Sequence, residues 1–291
     1  MDYDDVDETN IIVEAPSVEE AEATGQLILL AEDNLTNQKV ILRQLNNLGY
    51  AADIANDGNE ALVALRNKSY AILLTDCHMP NLDGFGLTET LRQNETGAGE
   101  RLPIVAITAS ALKAEVDHCY EVGMDDFLSK PVEMPKLRAA LKKWMPHAAP
   151  SEPSAEGPET SKVAPTPQDV EKPLASDGNA DGNGAIDPTA LKSMFGDDEE
   201  TFREILQEFV EPSADNIQEI KVAFENHSAT DVASAAHKLK SSSRSVGANE
   251  LADICTELES AGKNDDWDTI NGLVPRLPSV MQQVSAYIEN L

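Results

Sequence analysis

Residues 71–84 read AILLTDCHMPNLDG and decide the fold of the first half of the chain. The apolar run before Asp76 is short for a helix and is typical of a strand buried on both faces of a parallel sheet. It ends at a carboxylate and enters a segment that contains the turn residues Pro80 and Gly84. Because open α/β sheets bind their ligands beyond the carboxyl ends of the strands, Asp76 is predicted to lie at a functional site.

Other buried runs in residues 26–146 also end in polar groups. These strands are predicted at residues 26–31, 102–107 and 125–129, and a further strand at residues 50–55. The polar residues that follow the first three are Glu32, Asp33, Thr108 and Lys130. Helical patterns lie between the strands, at residues 34–48, 59–68, 85–93, 112–122 and 133–144. Alternating strands and helices predict a doubly wound α/β fold with a five-stranded parallel sheet, which gathers these side chains at one edge.

These residues resemble the receiver domain of two-component signalling, which has a flavodoxin-like fold, over about residues 26–146. The resemblance implies that Asp76 accepts a phosphoryl group and that Thr108 and Lys130 contact it. It also implies that Glu32, Asp33 and Asp76 hold Mg²⁺ together with the backbone carbonyl of His78. The chemistry agrees, since carboxylates about 5 Å apart repel by roughly 3 kcal/mol per pair. A hard divalent cation with oxygen ligands removes that cost.

The resemblance bears on two further features of this segment. Phe127 stands where receivers have a switch aromatic, but a plain core Phe is an equal alternative. The resemblance implies a cis bond between Lys130 and Pro131.

A Mg²⁺-dependent phosphatase is an alternative to the whole receiver interpretation, although that class usually has a second Asp where His78 stands.

The chain after residue 185 is predicted to be an all-α antiparallel four-helix bundle, because helical patterns are joined by short connections. The helices are predicted at residues 197–226, 229–246, 249–261 and 267–290. Pro212 is predicted to bend the first of them. Pro275 and Pro278 are predicted to break or bend the last.

Residues 235–248 read AAHKLKSSSRSVGA and decide the function of the bundle. Val232, Leu239 and Val246 form an apolar stripe, and His237 lies about 200° round the helix from Leu239, so its imidazole is predicted to face solvent. The residues predicted to share its face are Ala233, Lys240, Ser241 and Arg244. Small neighbours would leave the ring open, and two cations would favour a phosphoryl group on it.

This segment resembles the histidine phosphotransfer (HPt) domain, over about residues 186–291. The resemblance implies that His237 carries a phosphoryl group and that Lys240 belongs to its motif. Ser241 departs from the family pattern, because Gly is most frequent at that position. The expected consequence is a smaller space for an incoming receiver loop.

Composition and charge limit the partners and the location of the chain. The 291 residues suggest about two domains, and the formal net charge of −30 disfavours nucleic acid and anionic lipid as partners. Residues 1–25 are predicted to be an acidic, disordered or loosely helical leader, and residues 147–184 a linker rich in Pro, Gly and Ser. Three cysteines without a metal-binding spacing, and no long apolar run, predict a reduced, cytoplasmic protein without direct membrane insertion.

The two resemblances together predict a phosphorelay intermediate similar to the C-terminal part of a hybrid sensor histidine kinase. A sensor histidine kinase would phosphorylate Asp76, which would pass the group to His237 and onward to a downstream response regulator. The sequence has no recognisable ATP-binding domain, so autophosphorylation is not expected. The alternative is a docking scaffold in which the receiver controls an inert helical bundle.

Overall fold

The computed structural model describes residues 15–95, 101–109, 113–146, 185–195 and 199–291. Most of the predicted leader and the whole predicted linker lie outside these residues. No helix within these ranges combines the length and the apolar character needed to cross a membrane.

The described first half contains a five-stranded parallel sheet with the order β2-β1-β3-β4-β5. Its strands are β1 (Ile28–Ala31), β2 (Ala52–Ala55), β3 (Ile72–Asp76), β4 (Ile104–Thr108) and β5 (Asp126–Ser129). The register pairs Ala31 with Thr75, and Thr108 with Ser129, so these strands end at the same edge. The predicted sheet is therefore confirmed, and it brings the polar residues after the strands to one side.

Helices cover both faces of the sheet. Successive strand residues point to opposite faces, so each face carries apolar side chains that helices must cover. They are α2 (Leu35–Asn47), α3 (Gly58–Asn67), α4 (Gly84–Asn94), α5 (Lys113–Glu121) and α6 (Met134–Trp144). Ile28 and Leu30 belong to one apolar cluster, and Leu29 and Ala31 to the cluster on the opposite face. Lys130 and Pro131 are joined by a cis bond, as the resemblance implied.

A short helix, α1 (Val18–Ala23), precedes the sheet within the predicted leader. Ser17 and Glu20 form a capping box at its start, which satisfies backbone N–H groups that the first turn leaves free. Ala21 is buried against Leu27 and Ala51. The end of the leader is therefore an ordered helix that packs on the receiver segment.

The described C-terminal region is helical. It comprises α7 (Pro188–Phe195), α8 (Glu199–Glu225), α9 (Ala229–Ser245), α10 (Asn249–Lys263), α11 (Trp267–Leu273), a 3₁₀ turn (Val274–Arg276) and α12 (Leu277–Glu289). The predicted last helix is interrupted at Pro275, which lies in the 3₁₀ turn. Helix α8 continues through Pro212.

The bundle packs directly on helix α2 of the sheet domain. Val40 on α2 is 2% exposed and belongs to the apolar cluster of the bundle, whereas Ile41 faces the sheet. Arg43 donates a hydrogen bond of 2.8 Å to the Thr201 hydroxyl on α8. Helix α2 therefore buries one face in each domain and holds the bundle beside the polar edge of the sheet.

Candidate functional site

Three carboxylates lie together at the polar edge of the sheet. Each of Glu32, Asp33 and Asp76 offers an oxygen within 4.8 Å of the other two. Glu32 is fully buried and Asp76 is 4% exposed, so little water separates them from one another. The structure thus brings together the three carboxylates that the sequence predicted as metal ligands.

The ammonium of Lys130 lies among these carboxylates. Its Nζ is 2.5 Å from Asp76 Oδ2 and 2.8 Å from Glu32 Oε2, and its side chain is buried. Burial would lower the pKa of Lys130, but the two neighbouring carboxylates outweigh burial and raise it. Lys130 therefore keeps its charge and can offset negative charge on a group bound at Asp76.

The single ammonium group of Lys130 does not neutralise the negative charge of the three carboxylates. Burial is the main cause that raises the pKa of Glu32 to about 7, and repulsion from Asp76 adds to it while Lys130 opposes it. Burial and Asp76 also raise the pKa of Asp33. Because the pKa values of Glu32 and Asp33 stay raised beside Lys130, the cluster still has excess negative charge that a second cation can neutralise. Mg²⁺ is a hard cation that binds carboxylate oxygens of this kind.

The loop after β3 closes tightly over Asp76. The backbone N–H of His78 donates to Asp76 Oδ1 at 3.2 Å, which places the His78 backbone at the site. A Cβ on Gly84 would lie 2.2 Å from the backbone oxygen of Asp76, so this approach requires glycine. The position of the His78 carbonyl as a metal ligand remains a prediction.

Thr108 ends β4 at the same edge, but its hydroxyl donates to the carboxylate of Glu115 in the first turn of α5. Glu115 Oε1 is also 3.7 Å from Nε2 of His78. The sequence pattern does not point to Glu115, because this residue lies on a helix after the predicted strand end. Contact of Thr108 with a phosphoryl group remains a prediction.

Phe127 is partly buried in the apolar cluster, which is compatible with both interpretations offered for it.

His237 faces the sheet domain instead of open solvent. Its side chain is 22% exposed, and its ring lies 5.6 Å from the ring of His78 with an interplanar angle of 88°. The predicted solvent exposure was therefore wrong, because the receiver segment docks on this face of α9. Ser241, predicted as an open small neighbour, is 5% exposed for the same reason.

Glu259 on α10 holds the other side of the His237 ring. Its Oε1 lies 3.1 Å from His237 Nδ1, and it also accepts hydrogen bonds from Lys240 at 2.5 Å and Lys263 at 2.6 Å. Burial would raise the pKa of Glu259, but these hydrogen bonds outweigh burial and lower it. An ionised Glu259 accepts from Nδ1–H, so the lone pair of the imidazole lies on Nε2.

Lys240 and Arg244 do not stand beside the ring as two free cations. Lys240 pairs with Glu259, and Arg244 donates to the Thr256 hydroxyl at 3.3 Å. Each therefore turns towards α10, which the pattern of a single helix does not reveal. Glu259 could have been found from the sequence, because it continues the buried stripe of Ala252 and Cys255 at helical spacing.

Ser241 connects the two clusters. Its hydroxyl lies 3.3 Å from Lys130 Nζ, and it is one helical turn after His237. Lys130 in turn contacts Asp76. The carboxylate cluster and the imidazole therefore belong to one continuous polar site between the two domains.

Comparison with protein families finds two matches in this chain. A model of the response regulator receiver domain matches residues 28–142, and a model of the Hpt domain matches residues 204–287. The sheet domain and most of the helical bundle correspond to these two segments.

Individual relatives cover the chain to different extents. Hybrid signal transduction protein dokA of Dictyostelium discoideum is 47% identical over 118 residues, which are 40% of this chain and 7% of that protein. Virulence sensor protein BvgS of Bordetella pertussis is 28% identical over 274 residues, which are 90% of this chain and 21% of that protein. The chain thus spans less than a quarter of the length of these two relatives.

Among solved structures, the chain is similar to the receiver domain of sensor histidine kinase PA1611 from Pseudomonas aeruginosa PAO1. The two are 40% identical, with 42% of this chain and 98% of that chain covered, and the TM-score is 0.39. That structure has a magnesium ion coordinated in its active site cleft.

Proposed function

Because this chain carries a response regulator receiver domain followed by an Hpt domain, we propose that it relays a phosphoryl group from Asp76 to His237. The observation that carries the proposal is the shared site. Lys130 contacts both Asp76 and Ser241, and the His237 ring packs against His78 in the loop that follows Asp76. The proposed bounds are residues 26–146 for the receiver domain, 147–184 for the linker and 185–291 for the phosphotransfer domain.

The first step is phosphoryl uptake by Asp76. The carboxylate attacks phosphorus, an O–P bond forms, and the N–P bond of a donor phosphohistidine breaks. Lys130 is placed to offset charge on the transferring oxygens. Glu32, Asp33 and Asp76 would hold Mg²⁺, which when bound adds positive charge at the same place.

The second step moves the group to the bundle. The lone pair on His237 Nε2 attacks phosphorus, an N–P bond forms, and the O–P bond to Asp76 breaks to regenerate the carboxylate. The phosphorylated ring carries a proton on Nδ1 and is positively charged, so the carboxylate of Glu259 stabilises it. Lys240 and Lys263 hold Glu259 ionised for this task.

The proposed partners follow from the two ends of the relay. A sensor histidine kinase supplies the phosphoryl group to Asp76, and the receiver of a downstream response regulator takes it from His237. The net charge of −30 supports protein partners and disfavours nucleic acid. The proposed location is the cytoplasm.

The order of labelling tests the proposal. With Mg²⁺ and radiolabelled acetyl phosphate, the full chain should first acquire label that mild alkali removes, as an acyl phosphate does. Label that survives alkali but is lost in acid, as phosphohistidine is, should follow. A chelator should prevent both. Label confined to the acyl phosphate would contradict the relay and favour the docking scaffold, and steady release of inorganic phosphate from phosphate esters would favour a phosphatase.

Replacing Glu259 by Gln should slow transfer from Asp76 to His237 by about tenfold or more, because the neutral amide stabilises the charged phosphoimidazole less well. Uptake by Asp76 should not change. The measurement is the rate at which alkali-stable, acid-labile label appears after a single loading of the receiver. The matched control is Glu257→Gln, since Glu257 lies on the same helix but is exposed.

Acid titration gives a second measurement for Glu259. Its pKa in the folded chain lies below the ordinary value of 4.5, so its ion pairs stabilise the fold fully above that pH and are lost as pH falls through the lowered pKa. The free energy of unfolding should therefore fall less between pH 5 and pH 2, roughly the range expected for such a carboxylate, in Glu259→Gln than in the unmodified chain. An equal fall in both chains would mean that Glu259 is not held in its ionised form.

A further inference from the structure

A buried polar network joins helix α2 to helix α9 beside the transfer site. The carboxamide of Asn37 uses both of its ends: Nδ2 donates to Ser241 Oγ at 2.8 Å and to Glu32 Oε1 at 3.0 Å. Its Oδ1 accepts from Ser245 Oγ at 2.9 Å. Asn37 is 2% exposed, and both serines are buried. The Asn37 side chain of the receiver domain thus forms hydrogen bonds with two serine hydroxyls of the bundle.

Ser241 is the residue that departs from the family pattern, and its hydroxyl takes part in the hydrogen bonds of this network. The hydroxyl accepts from Asn37 and lies within reach of Lys130. The neighbouring hydroxyls of Ser242 and Ser243 donate only to backbone oxygens of their own helix. Among these three serines, Ser241 is therefore the one whose hydroxyl forms hydrogen bonds with the receiver domain.

We propose that Asn37, Ser241 and Ser245 determine which receiver exchanges phosphoryl groups efficiently with His237. This inference rests on the proposed function and specifies its partner. We expect the bundle to exchange phosphoryl groups efficiently with a receiver that has a carboxamide side chain at the position of Asn37. This position lies four residues after Asp33, the second residue of the acidic pair. Its own receiver domain meets this requirement.

Two other polar contacts between the domains discriminate less. Asn34 donates to the backbone oxygen of Lys238, which any residue at that position would present. Lys39 and Glu208 form an ion pair, but both side chains are 49% exposed, and such pairs contribute little. A receiver with an apolar residue in place of Asn37 would remove the hydrogen bonds that this side chain makes with the hydroxyls of Ser241 and Ser245, and would leave Ser245 with the backbone oxygen of Ser241. Binding sites built around hydrogen bonds reject partners that lack them much more strongly than apolar contacts do.

The test compares two transfers in the full chain. One is transfer from Asp76 to His237 after a single loading with labelled acetyl phosphate. The other is transfer from labelled His237 to a free receiver protein that has an apolar residue at the position of Asn37. Ser241→Ala should slow the first by about tenfold, because the Asn37 amide nitrogen loses one of its two acceptors in a buried site, and should leave the second unchanged or faster. Ser243→Ala is the matched control and should change neither.

A double substitution tests the contact itself. If Asn37 and Ser241 act together, Asn37→Ala combined with Ser241→Ala should slow transfer less than the product of the two single effects. Hydrogen exchange in residues 35–47 should rise in both single variants and stay unchanged in Ser243→Ala, which separates loss of docking from loss of folding.

The inference is wrong if Ser241→Ala slows both transfers equally, since Ser241 would then assist the chemistry of every exchange. It is also wrong if Ser241→Ala and Asn37→Ala transfer from Asp76 to His237 at the unmodified rate. That result leaves the relay intact as long as His237 still receives label. If the unmodified chain never labels His237, the proposed function itself fails.

Discussion

Replacing Asp76 by Asn is expected to reduce phosphoryl uptake from acetyl phosphate by at least about 1000-fold. The amide oxygen is a poor nucleophile and cannot form a stable acyl phosphate. The shape of the side chain is retained, and its oxygen can still accept from Lys130 or from the backbone of His78. The variant should therefore fold and dock its bundle, so that the loss reports the nucleophile.

The measurement is the alkali-labile label on the full chain at saturating Mg²⁺. Asp83→Asn is the matched control, because Asp83 caps helix α4 in the same loop and Asn serves equally well as a cap. This control should take up label at the unmodified rate. Normal uptake by Asp76→Asn would show that another group accepts the phosphoryl.

Asp76 is also a predicted metal ligand, and the two roles can be separated. If the variant fails only because it binds Mg²⁺ weakly, a higher Mg²⁺ concentration restores uptake. If the nucleophile is missing, no concentration restores it. Asp33→Asn keeps the nucleophile and should show the opposite behaviour, with uptake that recovers as Mg²⁺ is raised. The pair of variants thus distinguishes attack on phosphorus from charge compensation.

The sheet and its polar edge could be predicted because local signals and topology agree. Each strand is a short apolar run that ends in a polar residue, and parallel strands must bring their carboxyl ends to one edge. Glu32, Asp76 and Lys130 therefore meet whatever the details of the loops. Helix bounds were predicted to within a few residues for the same reason, since glycine and capping residues mark most of the ends.

The contacts between helices could not be predicted in this way. Glu259 and His237 lie on different helices of the bundle, and Asn37 and Ser241 lie on different domains. The periodicity of one helix shows which residues share a face, but not what packs against that face. His237 was expected in solvent for this reason, although the receiver domain covers it. A charged residue on a buried stripe, such as Glu259, is the available signal for a hidden partner.

Replacing His237 by Gln is expected to abolish transfer beyond Asp76. Glutamine can still hydrogen-bond to Glu259, but it has no nitrogen lone pair that can attack phosphorus. Uptake by Asp76 should continue, so the acyl phosphate should accumulate to a higher level than in the unmodified chain. A free receiver protein added after loading should receive no label through the bundle.

Two imidazoles lie close together at the transfer site, so the control must exclude the wrong one. His78→Gln removes the ring that packs 5.6 Å from His237 and should leave the alkali-stable, acid-labile label in place. His118→Gln removes an exposed imidazole on α5 and should change nothing. Acid-labile, alkali-stable label that survives in His237→Gln but disappears in His78→Gln would assign the phosphoryl to His78. Because His237 has the carboxylate of Glu259 behind its ring and His78 has Glu115 only at 3.7 Å, we expect the label on His237.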